Sequence, residues 1–399
     1  MPNVPQQFLF SNYSNGWAVR AGELPLYDVI TIPATHNGLP VLSIPASGFA
    51  NQPDVTEWIV PNGITSIGAN AFANNTGLTT ITIPNSVTTI ASAAFTGASS
   101  LESITLPFIG QSRTAVGRES LFGYIFGTAM FSGGTQVTQQ SMWSEPSWAN
   151  PAVHSVTWFI PSGLTSVVVT AVRSDSTIQR GAFMNVSFLE EIIFPKGHIS
   201  IGIDAFRGLT SITCIDNILH DDVMTIGSGA FFGMSSIESS SLVIPNSIIS
   251  IGESAFNGWR NVAYITLPFI GQSRTATGRE SLFGYIFGTA MFSGGSQVTQ
   301  QSMWPEFWHS NPAVHSVTWF IPSGLISVVV TDTTRLERGA FMNALNLTSV
   351  IISASVTTVG QDVFRGASNA TISVVGRTEA PSTWNINWNP DNRPVVWNA

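Results

Sequence analysis

The chain has 399 residues, and charged residues make up only 10 % of it, against roughly 25 % in ordinary soluble domains. The formal net charge is −8, and Lys196 is the only lysine. Because there is no basic stripe or polybasic segment, we expect neither nucleic acid nor an anionic membrane surface as a partner. The single cysteine, Cys214, excludes an internal disulfide and a multi-cysteine zinc site.

The sequence shows no sign of a membrane span or of a secretion leader. No apolar run approaches the roughly 18 residues that a membrane helix needs. The opening stretch, MPNVPQQFLFSNYSNGW, lacks the positive and long apolar segments of a signal peptide. We therefore expect no membrane span, and either a cytosolic protein or a chain that begins after a removed leader.

A repeat of about 23 residues runs through most of the chain, as in IGANAFANNTGLTTITIP and IGESAFNGWRNVAYITLP. Each copy carries a phenylalanine at the same place, and the commonest spacing between these residues is 23, with steps of 25 near the middle. Such a period predicts a solenoid in which each turn stacks on the next. The nine marker residues are Phe49, Phe72, Phe95, Phe183, Phe206, Phe231, Phe256, Phe341 and Phe364.

Each repeat has the pattern of two short strands and a corner. In LTTITIP, alternation places Ile81 and Ile83 on one face of a half-buried strand, and Pro84 ends it. VTTI at 87–90 is predicted as a second strand, and Phe95 is predicted to pack inward at the corner. One unit cannot bury its own apolar face, so the turns must stack. The alternative is an ordinary β-sandwich with coincidental phenylalanine spacing.

The pattern I/L-x-I-P-x-x-V-x-x-I-G-x-x-A-F-x-x-x-x-x-L resembles the BspA-like class of bacterial leucine-rich repeat proteins. The opening SNGWAVRAGELPLYDVITIPATHNGLPVLSIPASGF resembles the N-terminal cap of that class, and WNINWNPDNRPVVWNA resembles its closing segment. The resemblance implies an elongated, curved solenoid, displayed outside the cell or on its surface, that acts in adhesion or host contact. The chain departs from the class at Asn74, Gly97 and Gly208, where many members carry cysteine, and no secretion leader or wall anchor is recognised in it.

The expected fold is mainly β, a single leucine-rich-repeat solenoid over 1–399 with two caps and two inserted islands. The predicted boundaries are an N-terminal cap at 1–32, repeats at 33–107, island 1 at 108–155, repeats at 156–268, island 2 at 269–316, repeats at 317–372 and a C-terminal cap at 373–399.

The two islands lie in near-copies, residues 104–169 and 265–330, which are offset by 161 and differ at about eight positions. Both contain LFGYIFGTAMFSGG, at 121–134 and 282–295. In the first copy we predict an extended strand. One face of this strand would carry Phe122, Tyr124, Phe126 and Met130, and the other would carry Gly123 and Gly127.

Two interpretations of the islands stay open at this stage. In the first, the islands are recognition patches, because aromatic residues are enriched in interface cores. In the second, the islands are braces that bury their aromatic residues against the solenoid. The copies diverge at 144–149 and 305–310, as exposed loop tips allow. Removing 111–155 is expected to leave a folded solenoid. The candidate binding residues are Tyr124, Phe126, Trp143, Tyr285, Phe287 and Trp304.

The sequence supports no catalytic, metal or cofactor motif. GSGAFFG at 227–233 lacks the β-α-β frame of a dinucleotide site, and GQSRTAVGRES lacks the Gly-Lys-Ser/Thr of a phosphate loop. The remaining candidates are better explained as solvated loops, structural histidines or ion pairs. They are His154, His315, His220-Asp221-Asp222, Arg118-Glu119-Ser120, Arg279-Glu280-Ser281 and Glu190-Glu191.

We therefore predict a non-enzymatic binding or adhesion protein without a cofactor, whose repeat surface meets a protein or glycan ligand on a host or neighbouring cell. The alternative is a self-assembling extracellular filament or surface-layer subunit. A mean hydropathy of +0.24 with so little charge favours homo-assembly, because large apolar surfaces tend to be covered by partners. An enzyme with a site between island and solenoid is a third and less favoured class.

Overall fold

The computed structural model describes residues 7–142, 153–171, 173, 175–197, 199–303 and 314–398. The chain divides into two compact units, unit 1 at 1–198 and unit 2 at 199–399, which are described separately. The described residues form 28 strands and four short 3₁₀ helices, with no α-helix among them. The predicted class, a mainly β solenoid with turns of about 23 residues, is confirmed.

The strands are short and follow one another at nearly regular intervals. Those of unit 1 are β1 Phe8–Tyr13, β2 Gly16–Ala21, β3 Asp28–Thr31, β4 Thr35–His36, β5 Leu39–Ile44, β6 Val55–Ile59, β7 Ser66–Ile67, β8 Thr80–Thr82, β9 Thr89–Ile90, β10 Ser103–Leu106, β11 Gly134–Met142, β12 Val153–Pro161, β13 Ser166–Val169, β14 Thr177–Ile178 and β15 Glu191–Ile193. Those of unit 2 are β16 Ser200–Ile201, β17 Thr225–Ile226, β18 Ser241–Val243, β19 Ser250–Ile251, β20 Tyr264–Leu267, β21 Gly295–Met303, β22 Val314–Pro322, β23 Ser327–Val330, β24 Arg335–Leu336, β25 Ser349–Ile352, β26 Thr358–Val359, β27 Thr371–Val374 and β28 Val395–Trp397. The 3₁₀ helices are η1 Gly117–Ser120, η2 Phe122–Ile125, η3 Gly278–Ser281 and η4 Phe283–Ile286.

In unit 1 the first strands of successive turns form a parallel sheet in the order β15-β13-β10-β8-β6-β3, here called the long-strand sheet of unit 1. Its register aligns one inward-facing apolar residue per strand, and every member of this row is buried. The second strands of the turns, β5, β7 and β9, form another parallel sheet, and the antiparallel hairpin β1–β2 extends it at one edge. The alternation that predicted half-buried strands is thus confirmed. The inward row is Trp58, Ile81, Ile104, Val167 and Ile192.

Unit 2 repeats this arrangement with its own residues. Its long-strand sheet has the order β18-β20-β23-β25-β27-β28, and the short strands β16, β17 and β19 pair in parallel. Buried aliphatic side chains again line up across the long-strand sheet because the register between neighbouring strands is constant. The inward row is Leu242, Ile265, Val328, Val350 and Ile372.

The phenylalanine row forms the core, as predicted: all nine marker residues are fully buried. In unit 1 the rings of Phe72 and Phe95 are nearly parallel, with centroids 5.4 Å apart. In unit 2 the rings of Phe231 and Phe256 lie 5.6 Å apart. Parallel stacking from turn to turn removes the rings from water and makes each turn depend on its neighbours.

The island stretch LFGYIF is not an extended strand, so that prediction was wrong. Its residues Phe122–Ile125 form the 3₁₀ turn η2, which follows η1 in the preceding GRES, and η3 and η4 repeat this pair at the equivalent residues of island 2. A strand would place every second side chain on the solvent side, whereas the 3₁₀ turn buries all four residues from Phe122 to Ile125. Met130, predicted on the same face, is 81 % exposed.

Candidate binding surface

Island 1 contributes a turn to the core of unit 1. The backbone N–H of Phe95 donates to the carbonyl oxygen of Ile125 at 2.9 Å, and that of Phe122 donates to Ala182 at 2.9 Å. The ring of Phe122 lies 4.9 Å from that of Phe183, between centroids. The island therefore fills the place of a repeat corner between the two marker phenylalanines.

Island 2 does the same in unit 2. The N–H of Phe256 donates to the carbonyl of Ile286 at 2.9 Å, and that of Phe283 donates to Ala340 at 3.0 Å. Hence both islands are enlarged solenoid turns. The expectation that 111–155 can be removed without loss of the fold is replaced by its opposite, because removal would take away a layer of the core.

Four of the six candidate binding residues lie in this core. Phe126 and Phe287 are fully buried, and Tyr124 and Tyr285 are each 6 % exposed. These four side chains offer almost no surface to a ligand, which favours the interpretation of the islands as braces. The other two, Trp143 and Trp304, lie outside the described residues, so their binding role stays a prediction.

The buried tyrosines have perturbed acidity. Burial raises the pKa of Tyr124 above its usual value, and the carboxylate of Glu119 adds to the effect. Burial raises the pKa of Tyr285 in the same way, with Glu280 as the next contribution. A phenol is protonated at neutral pH even at its usual pKa, so the upward shift leaves both side chains uncharged in their buried sites.

After the 3₁₀ turns each island continues into a long antiparallel hairpin. Strands β11 and β12 pair over nine residues each, and β21 and β22 do so in the equivalent register. The inner face of the first hairpin packs on the solenoid corner through Val137 and Trp158, which are 2 % exposed. A Cβ on Gly123 would lie 2.2 Å from Trp158 Cγ, so glycine at that position lets the indole reach the 3₁₀ turn.

A buried glutamine joins each hairpin to its unit. The side chain of Gln139 is fully buried; its Oε1 accepts from the N–H of Gly123 at 2.9 Å and its Nε2 donates to the carbonyl of Ala182 at 3.0 Å. Gln300 makes the same two bonds in island 2, to Gly284 and Ala340. In each unit one side-chain amide thus links the backbone of the 3₁₀ turn to the backbone of the following repeat corner. Sequence reasoning missed these residues.

The repeat that follows each island carries a signal for this docking. Both read RGAFMN, at 180–185 and 338–343. Gly181 has a φ of +61°, and a Cβ there would lie 2.0 Å from the carbonyl oxygen of Gln140 in the hairpin. The side chain of Asn185 donates to the carbonyl oxygen of Thr138 at 2.8 Å. The glycine of this motif therefore leaves room for the hairpin backbone, and the asparagine forms a hydrogen bond with it.

The outer face of each hairpin is polar and uncharged. Thr138 lies opposite Thr157 with hydroxyl oxygens 3.3 Å apart, and Gln140 donates to Ser155 Oγ at 3.4 Å. In island 2 the equivalent distances are 3.1 Å in both cases. Neither strand of either hairpin contains Asp, Glu, Lys or Arg.

The outward face of the long-strand sheet in unit 2 is a second exposed surface, here called the neutral face. None of its six strands contains a charged residue. Tyr264 and Val243 are 48 % and 59 % exposed, and Val396 is 47 % exposed. The rest of the face is rows of hydroxyl and small aliphatic side chains. They are Ser241, Ser327, Ser349 and Thr371 in one row, and Thr266, Val329, Ile351 and Ser373 in the other.

The corresponding face in unit 1 carries charge at both ends. Its hydroxyl row of Thr80, Ser103 and Ser166 is flanked by Glu57 and Glu191. Ser166 Oγ donates to a carboxylate oxygen of Glu191 at 3.0 Å, so one hydroxyl of the row is already engaged. The two faces therefore differ in charge.

The comparisons with known proteins bear on the fold and family. A family model described as "BspA type Leucine rich repeat region" matches six copies, over residues 42–123, 176–282 and 323–378, which together are more than half of the chain. The chain belongs to this family. The matches stop near η2 and η4 and leave both hairpins uncovered.

Solved structures with similarity to this BspA-type chain are bacterial leucine-rich repeat proteins, at low identity. A leucine-rich repeat protein from Bacteroides ovatus is 17 % identical over 100 % of this chain and 91 % of its own, with a TM-score of 0.40. A leucine rich cell surface protein from Faecalibacterium prausnitzii is 18 % identical over 96 % and 98 %, with a TM-score of 0.29. A leucine-rich repeat protein from Eubacterium ventriosum is 13 % identical over 92 % of this chain and 92 % of its own, with a TM-score of 0.31. Curated proteins gave no match to this chain.

The candidate chemical groups of this leucine-rich repeat chain form no metal centre: within the described ranges, no cluster of three or more His, Cys, Asp or Glu has ligand geometry. His220 Nδ1 lies 3.7 Å from an oxygen of Asp222. Arg279 pairs not with Glu280 but with Glu253 of the preceding turn, at 2.5 Å. His220 and Arg279 thus each lie in a local pair.

A cleft of about 500 Å³ adjoins the second hairpin of this family member. Polar groups from η3 and from both hairpin strands line it, among them Thr277, Glu280, Ser302 and His315.

No helix in the part of the chain that the structure describes has the length and apolar character needed to cross a membrane.

Proposed function

We propose that this chain is a non-enzymatic binding protein that contacts a protein ligand through the neutral face of unit 2. The observation that carries the proposal is the exposure of Tyr264, Val243 and Val396 within a sheet surface that has no charged strand residue. Aromatic residues are enriched at the centre of interfaces, whereas charged ones are depleted there. The repeat family supports the same class of function, since stacked repeats provide broad binding surfaces.

The ligand that suits this face is neutral and partly apolar. Hydroxyl rows flank the exposed Tyr264, so hydrogen bonds are available beside an aromatic platform. A glycan on the same surface is the other candidate ligand, because sugars also combine hydroxyl groups with apolar faces. We place the protein outside the cell or on its surface, acting in adhesion to a host or neighbouring cell, from its family alone.

The test measures binding of the fluorescently labelled chain to cultured epithelial cells. The double variant Tyr264→Ala with Val243→Ser should lower binding at least tenfold, as loss of central contact residues does. The matched control is Tyr27→Ala with Val29→Ser, which changes the same residue types at 55 % and 51 % exposure outside the neutral face.

Treating the cells beforehand separates the two ligand classes. Protease treatment that removes binding supports a protein ligand, and glycosidase treatment that removes it supports a glycan. Equal binding by the double variant and its control would refute a role for the neutral face.

A second candidate function is a self-assembling extracellular filament or surface-layer subunit. The observation that favours it is the pair of two-stranded hairpins, whose uncharged strands join no larger sheet within the described residues. Exposed strands of this kind are templates for pairing with another chain.

A further inference from the structure

Each island hairpin leaves part of one strand edge open. In the described chain β11 and β12 form a sheet of only two strands, as do β21 and β22. The side chain of Asn185 donates to a backbone carbonyl of β11, so that edge is covered by the solenoid corner. On β12 the N–H of Phe159 donates to Gly127 at 3.0 Å.

The open part of β12 is 153–157. Backbone groups of alternate residues point to the same side of a strand. Because Phe159 points its N–H away from β11, the backbone groups of Val153, Ser155 and Thr157 point the same way. No bond from them to another backbone segment is recorded among the described residues. In β22 the N–H of Phe320 donates to Gly288, which leaves 314–318 open in the same manner. We call these two segments the hairpin edges.

The hairpin edges lack the devices that usually prevent strands from pairing. Natural edge strands carry lysine, proline, bulges or inward charges. Here both segments read VHSVT, without charge, proline or a bulge in the pairing register. Val153 and Val314 are each 44 % exposed, so the open segments are accessible along their outer side.

The edge composition favours a second copy of this chain as the occupant. The chain carries a net charge of −8, but the hairpin strands carry none, so two copies meet here without repulsion. Both edges have the same sequence, and an antiparallel pair of identical strands is complementary about a twofold axis.

We infer that the hairpin edges pair antiparallel with the same edges of other copies, Ser155 opposite Ser155 and Val153 opposite Thr157. This inference rests on the second candidate function and supplies its contact. Each hydrogen-bonded residue pair exchanges two backbone bonds, and two hairpins join into a four-stranded sheet. Because every chain carries two hairpin edges, pairing continues from copy to copy. The short contact makes each step weak and dependent on concentration.

The test uses proline at the edge. Ser155→Pro and Ser316→Pro remove an outward N–H without removing a bond between the two strands of the hairpin, which is where edge strands tolerate proline. A second variant, Ser155→Lys with Ser316→Lys, adds the charge that natural edges use. Its matched control, Thr114→Lys with Thr275→Lys, adds the same charge at exposed sites of both islands away from the hairpins.

Sedimentation velocity over about 1 μM to about 500 μM covers the affinities of small interfaces. The wild type and the Thr114/Thr275 control should rise above twice the 42.7 kDa mass of one chain. Either single proline variant should stop at the dimer, and both double edge variants should stay monomeric. If the proline variant fails to fold by thermal melting, the lysine variant decides.

A wild type that stays monomeric over the whole range overturns the inference. So does association that persists in the double lysine variant, or that is lost equally in its control. Binding of the double edge variants to cells, measured as above, should equal that of wild type. Loss of ligand binding and loss of self-association are therefore separable.

Discussion

The two islands share nearly the same sequence but are held by different neighbours. Their hairpins have the same strand lengths and equivalent register, and their 3₁₀ turns have equivalent bounds. In unit 2, Arg274 pairs with Asp332 at 2.6 Å and Arg279 pairs with Glu253 at 2.5 Å. In unit 1 the positions equivalent to Asp332 and Glu253 are Ala171 and Ser92, which cannot form ion pairs.

A third difference lies in a buried amide. Asn257 is 1 % exposed and donates to the carbonyl oxygens of Phe287 at 2.6 Å and Ala290 at 2.8 Å. The equivalent residue in unit 1 is Thr96. The island's own sequence therefore sets its backbone, while the surrounding repeats set how many polar contacts hold it. Island 2 has the larger number of such contacts.

The largest expected effect is common to both units. Phe95→Ala in unit 1 and Phe256→Ala in unit 2 should each lower the free energy of unfolding by about 3–5 kcal/mol, the usual cost of removing a buried phenylalanine. Both rings are fully buried and stack on the phenylalanine of the preceding turn. Urea unfolding followed by fluorescence measures the change. A loss below about 1 kcal/mol in either unit would contradict a shared core.

The core was predictable from sequence because it repeats. Nine phenylalanines in register, with proline after many of the strands of the long-strand sheets, favour one arrangement that buries the apolar residues. The island fold was not predictable in this way. In LFGYIF, aromatic residues at every second position match a strand pattern. In the structure Phe122 instead packs against Phe183 of a later turn from within a 3₁₀ turn, a long-range contact that local spacing does not reveal.

Loss of the buried glutamine should have an intermediate effect in both islands. Gln139→Ala and Gln300→Ala leave the N–H of Gly123 or Gly284 buried without its acceptor, which costs about 1–3 kcal/mol. The control Gln140→Ala removes the neighbouring amide, which faces the other side of the hairpin, and should cost under about 0.5 kcal/mol. Thermal melting compares them, and equal losses at Gln139 and Gln140 would argue against the bridging role.

Gln139 was missed because nothing local marks it. It stands beside another glutamine in QVTQQSM, and only its position on the inner face of the hairpin buries it. The long-range signal was the RGAFMN motif after each island, in which Ala182 and Asn185 bond to residues of β11 that lie 43 and 47 residues earlier in the chain. Tyr124 and Phe126 were predicted to bind a ligand because they are aromatic. Aromatic content alone cannot distinguish an interface from a core, and both side chains are buried.

The ion pairs should have smaller effects that differ between the islands. Asp332→Ala should destabilise unit 2 by about 0.5 kcal/mol, since both partners are partly exposed and water screens them. Ala171→Asp places the missing carboxylate near Arg113 and should stabilise unit 1 by a similar amount. Both changes should shrink in about 0.5 M salt. A stabilisation by Ala171→Asp that is unaffected by salt would point to a cause other than the ion pair.

The smallest expected effect on stability is at Trp143 and Trp304, which directly precede the segments 144–149 and 305–310 that hold most of the differences between the islands. These residues lie outside the described part of the chain, and their role rests on sequence alone. Each single change to alanine should alter stability by less than about 0.5 kcal/mol, as exposed sites do.

Both changes together should abolish attachment to cells, and either one alone should weaken it. Two weak sites on one chain gain avidity through effective concentration, by about 10²-fold in favourable geometry, so losing one site also loses that gain. Tryptophan is the residue type most enriched at binding hot spots, which is why these positions are chosen. A sharp fall in melting temperature for each single variant, with attachment retained by the folded fraction, would instead make both tryptophans part of the brace. The tips would then resemble Tyr124 and Phe126, which the solenoid buries.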